Sequence, residues 1–90
     1  MSIRLRDRVT ATSTEYGLVL LDETAGEYWN LNPTGALVVD TVAAGGTADD
    51  AARKLVAEHA VDLQTARDDV DELLAQLHAA GLIDSEGRPA

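Results

Sequence analysis

Serines, histidines and a run of carboxylates are the residues of this 90-residue chain that could carry chemistry. Nucleophilic catalysis needs a hydroxyl or thiol with a base in reach. Ser2, Ser13 and Ser85 are the serines, none stands in a G-x-S-x-G turn, and cysteine is absent. His59 and His78 fall on separate helical segments, each near the C-terminal end, where a cation suits the helix dipole. They read as helix-end polar residues rather than as a metal or acid–base pair. Asp68-Asp69-Val70-Asp71-Glu72 is the densest acidic run, but it lacks the glycine and alternating ligands of an EF-hand loop. On a helix Asp68 and Glu72 share one face and Asp71 turns to another, so no compact oxygen cage forms. The run reads as a solvated face, with a charge patch that meets a basic partner as the alternative. Gly45-Gly46 leads into Thr47-Ala48-Asp49-Asp50 without a lysine, which is not a phosphate loop. The residues therefore assign no catalytic group, no metal and no cofactor, and the expectation is a protein that binds rather than reacts.

Binding depends on surfaces, and surfaces on the elements that carry them. Seven Lys and Arg against 16 Asp and Glu give a net charge of −9. That balance opposes binding to nucleic acid, whose affinity begins with cations on phosphates, and to anionic membranes. The longest apolar run, Leu18 to Leu21, is far too short to span a bilayer, and no targeting segment is visible. With no disulfide framework to demand an oxidising compartment, a cytoplasmic location is expected.

The first third of the chain reads as three strands. Ile3, Leu5 and Val9 alternate with arginines and Thr10, with a slip in phase at Asp7-Arg8. Tyr16 to Asp22 is more apolar and is expected at the centre of the sheet. Glu23-Thr24-Ala25-Gly26 forms a hairpin loop, Gly26 taking positive φ. Glu27-Tyr28-Trp29-Asn30-Leu31 follows as a short strand at the sheet edge, holding two of the three aromatics. Adjacent on a strand, Tyr28 and Trp29 must point to opposite faces. An edge with aromatics beside it suits capture of an extended peptide by strand addition.

Three helices follow. Asn32-Pro33 opens the first, a cap followed by proline at the first helical position, and Gly45-Gly46 ends it. Thr47 caps the second, with Asp49 and Asp50 in its first turn and Ala52, Leu55, Val56 and Ala60 on its apolar side. Asp62 caps the third and longest. Its stripe is Leu63, Ala66, Val70, Leu73, Leu74, Leu77 and Gly81, close to a 3.6-residue period. Leu82-Ile83 packs back, and Asp84 to Ala90 should fray, so the domain is drawn over residues 1–84 with a flexible tail over 85–90. Strands followed by helices predict an α+β fold, a three-stranded antiparallel sheet with three helices packed on one side.

Leu31-Asn32-Pro33-Thr34-Gly35-Ala36, Gly46-Thr47 and Leu77-His78-Ala79-Ala80-Gly81-Leu82-Ile83, in that order behind a strand pair, resemble the PqqD-like family. These are the recognition elements for precursors of ribosomally synthesised, post-translationally modified peptides. The match spans nearly the whole chain. The resemblance implies a winged helix-turn-helix-like fold that binds the leader of a precursor peptide, added as a further strand and lying against the third helix. It also implies a stand-alone module of lasso peptide biosynthesis, working with a separate transglutaminase-like leader peptidase and an ATP-dependent cyclase. On that reading the leader pairs with Glu27, Tyr28, Trp29, Asn30 and Leu31. The apolar stripe of Val70, Leu73, Leu74 and Leu77 faces it at its margin, with Arg67 and Asp71 placed to pair with leader charges. Two rivals share the architecture: a peptide chaperone for a radical enzyme in quinone-cofactor maturation, and a winged-helix DNA-binding regulator. The third helix opposes the DNA reading, since Asp62, Asp68, Asp69, Asp71 and Glu72 stand on it against Arg67 alone.

Overall fold

The computed structural model describes residues 2–86. In chain order the elements are β1 (Ser2–Leu5), β2 (Val9–Thr14), β3 (Gly17–Asp22), β4 (Glu27–Leu31), α1 (Pro33–Ala43), α2 (Ala48–His59), α3 (Leu63–Ala79) and β5 (Ile83–Glu86). Strands β2, β3 and β4 form an antiparallel sheet in that order, followed by the three helices, the expected α+β arrangement. As expected, β3 is central and β4 is an edge.

The N-terminal segment departs from the sequence reading. Ile3, Leu5 and Val9 do not share one strand; the chain turns at Asp7-Arg8, where the alternation slips, and β1 belongs to a second, two-stranded sheet with β5. Asp84, Ser85 and Glu86, expected to fray, are paired with Arg4, Ile3 and Ser2. Arg6 fastens the same corner, its N–H donating to the Leu82 carbonyl at 3.0 Å and its guanidinium to Asp84 at 3.3 Å. The remainder of the predicted tail, residues 87–90, lies outside the described residues.

Caps set the helix boundaries. The Asn32 carboxamide accepts the Gly35 N–H at 2.8 Å ahead of Pro33. Thr47 and Asp50 form a reciprocal capping box, each side chain accepting the other's N–H. Asp62 accepts the Thr65 N–H at 2.9 Å and its hydroxyl at 2.7 Å. Ala60, assigned to the apolar side of the second helix, instead sits exposed at its C-cap in the left-handed region, φ 55°. Leu63, assigned to the stripe of the third, is exposed in the first turn.

The core is a single cluster. Leu18 and Leu20 on the inner face of β3 meet Val38, Val39 and Val42 of α1, Ala51, Ala52 and Leu55 of α2, and Ala66, Val70, Leu74 and Leu77 of α3. Leu82 and Ile83 close it beneath β1. Pairing of Leu18 with Leu31 and of Leu20 with Trp29 puts Leu31 and Trp29 on this inner face. Tyr28 and Asn30, opposite Leu21 and Val19, face outward, and Tyr28 is 68% exposed. The two aromatics do split between faces.

Candidate functional site

Beside its bond to β3, strand β4 has no other strand partner among the described residues. Alternate residues of an edge strand turn their N–H and C=O groups outward, a template for another chain. The position of β4 is held from both ends. At its start Asp22 organises the hairpin, its carboxylate accepting the N–H groups of Thr24 (3.0 Å) and Ala25 (3.2 Å) with the Arg8 guanidinium 3.6 Å away. Gly26 completes the loop with φ 71°. At its end Gly17, φ 145°, lies under the Leu31 backbone so closely that a methyl group there would collide with the Leu31 carbonyl. Leu31 then passes straight into the Asn32 cap of α1.

Next to this edge runs an open groove of about 340 Å³ between β4, the start of α1 and α3. Its apolar floor is Leu31, Val38, Leu55 and Leu73, and its polar rim includes Asn30, Asn32, Thr34, Gln76, Asp69 and Glu72. Such a site can hold an extended segment by its backbone along β4 while taking one or two side chains into the groove.

The structure sorts the expected site residues into two sets. Asn30 and Leu31 line the groove, and so does Leu73 of the helical stripe. Glu27 and Tyr28 are exposed on the edge strand, and Trp29 is half-buried against the core. Val70, Leu74 and Leu77, in contrast, are buried in the core and do not line the groove. Arg67 is turned away to α2, its Nε and a terminal nitrogen donating to Asp49 at 3.1 and 2.9 Å. Asp49 also accepts from Arg53 at 2.8 Å. The hydrogen bond from Arg67 is the main reason the Asp49 carboxyl is held below the usual carboxylate range. Asp71 is exposed outside the groove.

On α3, the groove-lining residues not named by the sequence reading are Asp69, Glu72 and Gln76. Their positions have a simple geometric origin. Core positions 70, 74 and 77 of α3 are each preceded by a groove position, 69, 73 and 76, about 100° around the helix. Arg67 and Asp71 sit on the opposite margin, one residue after core positions 66 and 70. The stripe was legible; which of its two margins faces the sheet depends on how α3 is laid across the fold.

Groups of three or more His, Asp or Glu able to hold a metal do not occur among the described residues. Nor is any described helix long and apolar enough to cross a membrane.

Comparison with known proteins places this architecture. The family model of coenzyme PQQ synthesis protein D (PqqD) matches residues 17–83, from the first residue of β3 to the first of β5. The chain belongs to the PqqD family. Two solved structures are similar to this PqqD-family chain over nearly its whole length. A lasso peptide synthetase B1 complexed with the leader peptide is 36% identical, with a TM-score of 0.87 over 94% of this chain and 100% of that one. TbiB1 in complex with the TbiA(beta) leader peptide is 24% identical and shares the fold, with a TM-score of 0.84 over 97% and 99% of the two chains. A search of curated proteins gave no match.

Proposed function

We propose that this PqqD-family protein captures the leader of a ribosomally made precursor peptide as a fourth strand on β4 and presents it to processing enzymes. The observation that carries the reading is the open β4 edge bordering a groove whose floor is apolar. Its likeness to a lasso peptide synthetase B1 complexed with a leader peptide supports the choice of ligand. The backbone of Glu27–Leu31 supplies sequence-tolerant pairing, and Leu31 and Leu73 receive an apolar anchor. The module acts in the cytoplasm, by binding and without chemistry of its own.

The energetics suit a reversible handle. Burying ~200–300 Å² of apolar leader surface gives roughly 5–7 kcal/mol. Ordering a flexible leader costs about 2–5 kcal/mol, and edge hydrogen bonds offset part of that. Affinity between micromolar and nanomolar follows. Holding the leader then turns its cleavage and the cyclisation of the core peptide into local events, for a separate leader peptidase and an ATP-dependent cyclase.

The test is a fluorescence-anisotropy titration with a labelled synthetic peptide carrying the leader sequence of a candidate lasso precursor, repeated with single N-methyl substitutions along the peptide. Strand addition predicts that binding is lost at every second backbone position, because only alternate N–H groups face β4. Losses without that two-residue period would contradict it.

A further inference from the structure

The groove contains two charged side chains, Asp69 and Glu72, both carboxylates, and no lysine, arginine or histidine lines it. Both are exposed, and among the described residues neither has a hydrogen-bond or ion-pair partner on its side chain. Two other carboxylates of these helices are occupied, Asp68 accepting from Gln64 at 3.0 Å and Asp49 taking two arginines, while Asp71 is exposed outside the groove. Arg67, the one arginine of α3, is spent on Asp49 and leaves the groove uncompensated.

Resting on the capture reading above, we infer that the segment taken into this groove is cationic. Its groove-facing side chains combine an aliphatic anchor with a lysine or arginine two positions away, and Asp69 and Glu72 select that cation. The spacing follows from geometry. Groove-facing side chains of an added strand stand at alternate residues, about 7 Å apart. Asp69 and Leu73 are one helical turn apart, about 6 Å along α3. An anchor on Leu73 therefore leaves the next same-face side chain beside the carboxylates, its aliphatic stem on the floor and its charged head at the rim. An acidic side chain in that place would meet like charge on a molecule that already carries −9.

The experiment is selection of a random 12-residue peptide display library on the wild-type protein at low salt, followed by anisotropy titrations of one labelled winner. Enriched peptides are expected to share an aliphatic residue with Lys or Arg two positions away. Replacing that cation by Glu should weaken binding. The double variant Asp69→Asn/Glu72→Gln, checked for native circular dichroism, should lose roughly 3- to 20-fold in affinity for the cationic peptide and cease to distinguish it from its Glu counterpart. A charge-reversed Asp69→Lys/Glu72→Lys variant should prefer the Glu peptide. Winners without a cation at that spacing, or a double variant that discriminates as the wild type does, would overturn the charge selection while leaving strand capture standing. A library that yields no binders at all would remove capture itself, and the charge selection with it.

Discussion

At the scale of single residues, several carboxylates of this molecule hold the fold, whereas Asp69 and Glu72 are the ones proposed to meet a partner. Asp22 is of the first kind: 7% exposed, it joins the β3–β4 hairpin to Arg8. Replacing it with alanine leaves two loop N–H groups and a guanidinium without their acceptor. Asp22→Ala should cost about 1–3 kcal/mol, read as a lower urea midpoint at unchanged slope. Asp49 and Asp62 are also structural. Arg67 holds the first below the ordinary carboxylate range, and the Thr65 hydroxyl does so for the second. A carboxyl whose folded value lies below its unfolded one stabilises above the unfolded value and loses that contribution as pH falls through the folded one. The thermal midpoint should hold from neutrality to about pH 5 and decline below about pH 4. In Asp49→Asn/Asp62→Asn the midpoint should start lower and fall less steeply with acid; an unchanged slope would show that these two groups do not carry the effect.

At the scale of elements, most of what matters was written locally. Asn32-Pro33, Thr47 with Asp50, and Asp62 each announce a helix by side chains that reach their own backbone, so no knowledge of the fold is needed to find them. Position of β4 at the edge followed from its shortness. The choice between Asp69 and Asp71 as a groove residue could not be read, because both flank the same apolar stripe and only the placement of α3 against the sheet separates them. Gly17 links the two kinds of information: its contact with Leu31 crosses from the start of β3 to the β4–α1 junction. Gly17→Ala combines φ 145° with a steric collision and should destabilise by about 1–3 kcal/mol. It should also weaken leader binding beyond what the loss of folded protein explains, since Leu31 must shift. A variant with wild-type affinity per folded molecule would mean that this junction does not position the site.

At the scale of the whole molecule, the first and last strands of the described residues meet. β1 and β5 pair across some eighty residues of sequence, and neither four-residue segment has a local pattern strong enough to reveal the other. That closure was illegible for the same reason that the caps were plain. The charge was legible, and at this scale it opposes a DNA-binding use of the fold: −9 overall, with Asp68, Asp69, Asp71 and Glu72 all exposed on α3. The central claim is that a foreign strand is taken by β4. Hydrogen–deuterium exchange of the protein with and without the synthetic leader tests it most directly. Added protection should fall on alternate amides of Glu27–Leu31, with smaller changes in α3 around Leu73. Protection confined elsewhere, for example to the depression between α1 and α2 lined by Leu37 and Lys54, with the β4 amides unchanged, would contradict it.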